Sequence, residues 1–594
     1  MKKTLISLLA ACSVSLCLSL TTVKAQETSA ALGLWPRGDK TYLAAGQPMP
    51  LWPSLPAGTK TAGKLTITLP AGFSITSWGK SKAFAVLPKP LVVPTSVTKQ
   101  QDDGQKVVYA IEIPTSELPA NGSGRLALMV HPGTNPPDDY TAQMQMGELS
   151  SQATLTVLPP LNGKRPQRLQ IGVYNYNGLT NEAWLKDMEQ AVLNSGINTI
   201  WDMRPVSAEE RPLSLTSRLS SEGVEAGVLW FWKSYAAELG KTFPEAIRKS
   251  ADGKANPANG IASAWVIANR NKVMPVLEES LKQTLASGLY HSLILDHEER
   301  AVSRDGLSAD GDLYNPGTVE DFARFAKLDK APPADAAYIA KHHADQWTEY
   351  RTWQSAQLSA IVADALQSID PLLTYGLYSG YEYAPPLDGS THRWYSVNWH
   401  QMAKEGKIQI GTAGYYGSRA DIQNTAQALG KLPFTPAEMY AENFVAPRKT
   451  LPEPDAFASR LLAATLNGGG RGVNLWYLSV MDAGAFSAVA RVSHLLADAE
   501  PFLMDGQRAD SLLNLARDID PANVYVYQLG ERRLVIVLNR SAQELKFRAA
   551  WKEKLRLPDT TELVSGKKLG ESPLMEITLA PHQFAAFLTF SDGN

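Results

Sequence analysis

Cysteine is almost absent: the 594-residue chain has two, Cys12 and Cys17, both close to its N-terminus. A chain cut near Ala25 would retain neither, which excludes disulfides, a thiol nucleophile and a cysteine-bound metal. An excess of one charge is also missing, with 57 basic residues against 59 acidic and a formal net charge of −2. Lys2, Lys3 and Lys24 lie in the leader, so 54 basic residues face 59 acidic ones beyond it, a net −5. That balance leaves no nucleic-acid footprint. Beyond the leader no apolar run reaches the ~20 residues of a membrane-crossing helix, so no integral membrane span is expected. Signatures of several chemistries are missing too. There is no G-x-S-x-G elbow for a serine nucleophile and no H-E-x-x-H helix for zinc. Gly468-Gly469-Gly470 has no Lys-Ser/Thr after it, so it reads as a tight turn and not a phosphate loop. No cofactor is implied.

The clearest local signal is Met1-Lys2-Lys3, an apolar stretch from Leu5 to about Leu20, and Val23-Lys24-Ala25 before Gln26. This reads as a secretory signal peptide over residues 1–25, which predicts a periplasmic or secreted protein. Leu9-Ala10-Ala11-Cys12 offers an alternative, a lipidation box anchoring the chain through Cys12, but the apolar region runs on well past that cysteine. The remaining composition, 44% hydrophobic and 20% charged, is globular. At ~150 residues per domain the length implies several units rather than one core.

Three regions follow. Residues 26–160 hold short β-rich runs separated by Pro and Gly, among them KLTITLPAGFSITSW, KVVYAIEIP and SQATLTVLPP, the pattern of an antiparallel β-sandwich. Residues 507–594 contain NVYVYQLG and RRLVIVLNRS, which read as a hairpin, and two further β-rich runs, predicting a small C-terminal β-domain. Between them, over 165–503, eight apolar runs recur: 169–177, 197–205, 224–232, 291–299, 372–380, 407–417, 437–445 and 472–480. Helical stretches such as NEAWLKDMEQAVLNSG and DQWTEYRTWQSAQLSAIVADALQSIDP separate them, so the region is expected to be a (β/α)8 TIM barrel. An open doubly wound sheet also alternates strands and helices, but VYNYNGLT after the first run lacks the Gly-rich fingerprint of that fold.

Sites in such barrels lie at the C-terminal ends of the strands. Those ends are rich in acids and rings: Tyr174, Asp202, Trp232, Asp296, His297, Tyr378, Tyr415, Tyr416 and Trp476 are the candidate binding residues. Rings can stack on the apolar faces of a sugar while acids and amides bond its hydroxyls, which points to a carbohydrate partner. Any one ring could equally cap the core; clustering at most strand ends is what favours a site. Two carboxylates stand out, Glu298 after the fourth run and Glu442 after the seventh. A pair on different walls of one pocket can cleave a glycosidic bond, one acid protonating the leaving oxygen and the other attacking or activating water. Asp296 and Glu298 should share a strand face, and two such close charges would hold one acid protonated. A metal at Asp296, His297, Glu298 and Glu299 is disfavoured because adjacent strand residues point opposite ways, and His342-His343 reads as a surface pair.

The barrel region resembles clan A glycoside hydrolases. Asp296-His297-Glu298 is similar to the Asp-Asn-Glu of the family 42 β-galactosidase type, with His297 in place of Asn, and Glu442 in MYAENF matches the nucleophile position. The resemblance implies Glu298 as acid/base, Tyr415 or Tyr416 beside the nucleophile and Trp476 as a sugar platform. LILDHEE and GVNLWYLSVMD also resemble family 18 chitinases, where the substrate's acetamide is the nucleophile, Asp296 orients it and Glu442 is dispensable. A third reading is a carbohydrate-binding barrel without turnover. Oligomeric state is not legible from the sequence.

Overall fold

A computed structural model describes residues 32–35, 38–54, 63–78, 96–113, 127–175, 182–255, 260–297, 309, 312–379, 396–415, 437–440, 452–467, 471–476, 478, 481–552, 559–564, 566–570 and 574–590. The leader, including Cys12 and Cys17, lies outside the described residues.

Two sheets make the N-terminal sandwich. One has four strands in the order Gly33–Trp35, Met49–Ser54, Leu128–His131, Ser74–Trp78. The other has six, in the order Lys40–Ala44, Leu149–Leu158, Asp139–Met146, Gly63–Pro70, Lys106–Ile113, Ser96–Asp102. Alternation puts Leu65, Ile67 and Leu69 inside while their neighbours are wetter, as a strand with one buried face requires. The sequence pattern suggested purely antiparallel pairing, but Lys40–Ala44 runs parallel to Leu149–Leu158. A parallel pair cannot be closed by a hairpin, so it depends on contacts far apart in sequence.

The middle region is a closed barrel of eight parallel strands. We label them β1 (Gln170–Asn175), β2 (Thr199–Asp202), β3 (Glu225–Phe231), β4 (Ser292–Asp296), β5 (Thr374–Ser379), β6 (Ile410–Tyr415), β7 (Ala437–Tyr440) and β8 (Gly472–Trp476). The described helices of this region are α1 (Glu182–Asn194), α2 (Leu215–Ser221), α3 (Trp232–Thr242), α4 (Ser263–Ala268), α5 (Arg270–Thr284), α6 (Thr318–Phe325), α7 (Ala336–His342), α8 (Ala344–Ile369), α9 (Trp399–Lys404), α10 (Pro454–Asn467) and α11 (Ala483–Asp505). Helices on the outside and packed side chains within bury both faces of β1, β2 and β8, which explains their near-continuous apolar runs.

The ladder fixes which side chains point inward. Gly172 pairs with Asn474 and Thr199, Trp201 with Gly227, Gly227 with Ser292, and Asp296 with Tyr378. Asn474 occupies the interior: its amide oxygen accepts from Gln170 Nε2 at 2.8 Å and Trp201 Nε1 at 3.2 Å, and its nitrogen donates to Thr412 Oγ1 at 2.9 Å. Glycine makes room for the indole, since a Cβ on Gly227 would lie 2.1 Å from the Trp201 ring. The lower barrel is therefore filled, as a barrel of this size should be.

Between β4 and α8 the chain inserts α6 and α7 with a small core of its own, in which Phe322, Ile339, Trp347 and Tyr350 are buried together. In the C-terminal region the expected hairpin is present, Val524–Leu529 against Arg532–Leu538 with Gly530 at φ 59° in the turn. One face of that sheet packs Val526, Val535 and Phe587 on Phe547 of a three-stranded sheet. The other carries Tyr525, Leu534 and Ile536 into the apolar core shared with the barrel. Among the described residues no helix is long and apolar enough to cross a membrane.

Candidate functional site

Register alone brings three of the expected rings to the barrel mouth. Tyr174 ends the inward set of β1, Tyr378 that of β5 and Trp476 that of β8. The Tyr174 ring lies 5.1 Å from Trp476 and 6.4 Å from Tyr378, centroid to centroid. With exposures of 0, 5 and 6%, Tyr174, Tyr378 and Trp476 mainly pack on one another. They form a floor rather than freestanding platforms. Asp296 shares the rung of Tyr378 and Phe231, and its half-buried carboxylate belongs to the interior face.

Other expected binding residues are placed differently, and alternation is the reason. His297 follows Asp296 and so turns outward: only 1% exposed, it sets Nε2 2.8 Å from Ser355 Oγ on α8. The imidazole lies between strand and helix, away from the interior. Asp202, expected at the substrate, is also on the outer face and fully buried. It accepts from Asn175 Nδ2 at 3.0 Å, Thr216 Oγ1 at 2.8 Å and Tyr290 Oη at 2.7 Å. Three donors satisfy a carboxylate that would be costly to bury alone. It ties the ends of β1 and β2 to α2. Trp232 begins α3 and is buried against Trp230 and Tyr235, with centroids 6.4 and 5.8 Å away, so its ring is a packing element.

Tyr415 is the last residue of β6 and pairs with Met439, but its side chain lies outside the described residues. Tyr416, Glu298 and Glu442 also lie outside them. The described part of β4 ends two residues before Glu298, and β7 ends two residues before Glu442.

Several residues around the mouth were not marked by sequence reasoning. Arg351 of α8 forms a buried ion pair with Asp312, Nη1 to Oδ1 2.6 Å, and also donates to Gln354 Oε1 at 2.5 Å. The other Asp312 oxygen accepts the Ala264 N–H at 2.9 Å, so the pair joins the insertions that follow β3 and β4. One signal could have exposed this network: Arg351, Ser355 and Ser359 recur every fourth residue on a helix otherwise rich in apolar positions. Tyr290 is another; burial, reinforced by the nearby Asp202 charge, pushes its phenol well above the usual range and keeps it a donor. Burial alone raises the Tyr235 phenol. Among the described residues its hydroxyl has no hydrogen-bond partner. Among the described residues no group of three or more His, Cys, Asp or Glu could hold a metal.

No protein-family model matches the chain, and no curated protein does. Solved structures with some likeness include a β-galactosidase from Bacillus circulans sp. alkalophilus, at 9% identity and TM-score 0.47, covering 72% of this chain and 100% of that one. A putative α-galactosidase from Bacteroides fragilis shares 10% identity at TM-score 0.37, covering 95% and 99%. A family 39 glycoside hydrolase from Bacteroides cellulosilyticus shares 10% at TM-score 0.39, covering 94% and 100%. The fold described above rests on the barrel's own hydrogen-bond ladder.

Proposed function

We propose that the chain is an exported glycoside hydrolase of the clan A type, acting with retention on an oligo- or polysaccharide, with Glu298 as acid/base and Glu442 as nucleophile. The observation that carries the reading is the position of Asp296, inward-facing at the end of the fourth strand of a closed barrel floored by Tyr174, Tyr378 and Trp476. Period-two alternation carried two residues beyond β4 would give Glu298 the parity of Asp296. On the seventh strand Tyr440 shares the rung of Trp476, and Glu442 follows at the same two-residue spacing. A sugar above the rings would then meet one carboxylate from each of two separate strands.

In this scheme the Glu298 carboxylic acid protonates the departing oxygen while Glu442 attacks the anomeric carbon. Water then cleaves the glycosyl-enzyme with Glu298 as base, returning the starting anomeric configuration. Asp296 beside Glu298 helps to keep the acid protonated. The proposal differs from the family 42 pattern at His297, whose outward imidazole is not offered as a contact to the sugar.

The test is hydrolysis of a panel of aryl glycosides by the wild type, Glu298→Gln and Glu442→Gln, with product anomers followed by NMR. Each variant should lose about 10²- to 10⁴-fold in kcat, the usual worth of a positioned acid or base. Full activity in both variants would overturn the assignment. The half-buried, inward Asp296 also suits the substrate-assisted reading, in which Glu442→Gln stays active on N-acetylhexosaminides. Glycan binding by a wild type that turns over none of the panel would favour the binding protein.

A further inference from the structure

Two tryptophans flank Phe231 in the chain, and both are buried against the Tyr235 ring: Trp230 on the outer face of β3 and Trp232 at the start of α3. Phe231 has the opposite parity. A Cβ on Gly227 would run into the Trp201 ring inside the barrel, so Leu229 and Phe231 continue the inward face of β3. Leu229 is buried, whereas Phe231 is half-buried. The inward rings of Tyr174, Tyr378 and Trp476 are buried as well. Among the described rings of the barrel mouth, Phe231 is therefore the one with surface left to offer.

Its neighbour across the ladder is the half-buried Asp296, which pairs in turn with Tyr378. Adjacent strands lie roughly 4.8 Å apart, close to the width of a pyranose ring. Leu229 and Ile294 form the rung beneath, both buried, so phenyl and carboxylate stand on a packed apolar layer and cannot sink. The arrangement does little for stability, because the phenyl keeps apolar surface in water while the carboxylate loses part of its hydration. It suits a sugar, which is apolar on the faces of its ring, where C–H bonds point, and polar around the edge. We propose that Phe231 is a specificity-determining residue, stacking on the C–H face of one pyranose while Asp296 accepts a hydrogen bond from a hydroxyl at its edge. The pair selects a sugar with no axial hydroxyl on the face towards Phe231, since that hydroxyl would be pressed on the ring without a partner. This rests on the reading of the barrel as a glycoside hydrolase.

Stacking on a face remote from the breaking bond is the same in the ground and transition states, so its loss raises KM and spares kcat. The experiment measures kcat and KM of the full chain, Phe231→Ala, Phe231→Leu and Phe231→Tyr on p-nitrophenyl gluco-, galacto- and mannopyranosides in both anomeric forms. Phe231 is the N-cap residue of α3, but its side chain makes no capping bond, so its replacement removes no helix cap. Phe231→Ala should raise KM on the best glycoside at least about tenfold, with kcat within about threefold of the wild type. Its preference in kcat/KM for that glycoside over the epimers should shrink by a similar factor. Phe231→Leu, apolar but without a flat face, should share much of the loss. Phe231→Tyr keeps the face and should keep both KM and preference. In an active wild type, an unchanged KM and preference in Phe231→Ala, or a loss of kcat shared equally by every glycoside, overturns this proposal alone. A wild type that cleaves none of the panel overturns the hydrolase reading and this proposal with it.

Discussion

Tyr290 donates its phenolic hydrogen to Asp202 at 2.7 Å, and the same oxygen accepts the N–H of Val206 at 2.7 Å. One hydroxyl thus satisfies a buried carboxylate and a backbone donor just beyond β2. Tyr290→Phe should cost about 1–3 kcal/mol, because both groups stay buried with one partner fewer. Urea denaturation measures this directly. A loss below about 0.5 kcal/mol, within the usual scatter of neutral surface changes, would mean that water replaces the hydroxyl freely.

Two aspartates in ion pairs should respond very differently to alanine. Asp312, fully buried against Arg351, should cost about 3–5 kcal/mol when removed, since the guanidinium stays behind in the interior. Asp364 pairs with Arg270 and Lys407, whose side chains are half exposed, and its removal should cost less than about 1 kcal/mol. Denaturation curves of the two variants at one salt concentration give the comparison, and similar values would contradict the contrast in burial.

Tyr235→Phe should be neutral or stabilising, because the deleted hydroxyl has no partner among the described residues while the ring contacts with Trp230 and Trp232 remain. The alkaline limb supplies a second check. Burial raises the phenols of Tyr235 and Tyr375 in the folded chain, so they stay protonated there while the unfolded chain ionises near pH 10. Stability from each is complete below pH ~10 and falls above it by about 1.4 kcal/mol per pH unit. Tyr235→Phe should flatten that decline by one such increment between pH 10 and 11, and an unchanged slope in urea melts would refute the burial argument.

Tyr42 of the N-terminal sandwich hydrogen-bonds Glu453, which lies just before α10, and Leu43 and Ala44 join the core cluster that includes α11. Thr76 and Ser77 both donate to Asp187 of α1, at 2.8 and 2.6 Å. Deleting residues 26–160 should therefore give insoluble protein or a Tm clearly below that of the wild type, since these contacts are lost together with the buried apolar surface around them. A soluble truncated barrel melting like the wild type would show the seam to be dispensable.

The barrel was legible because strands such as β1, β2 and β8 are buried on both faces and so read as near-continuous apolar runs, which sets them apart from the helices between them. The inward rings followed from period-two alternation, as Tyr174, Tyr378 and Trp476 illustrate. The same rule turns His297 and Asp202 outward, and there the attraction of a strand-end polar residue misled. Partners escaped detection for a different reason. Nothing local to Asp312 announces Arg351, and nothing in Lys40–Ala44 announces a parallel neighbour more than a hundred residues away. Such pairings depend on how the chain closes in space, which no periodicity records. Glu298 and Glu442 fall outside the described residues and stay a sequence-based assignment.

Trp201 and Asn474 fill the space beneath Tyr174 and Trp476. The described interior is therefore closed below those rings, and the barrel is not a tunnel. On the proposed glycosidase reading, selectivity for a sugar or linkage is set above those rings, so it can drift over generations while the staves below stay as they are.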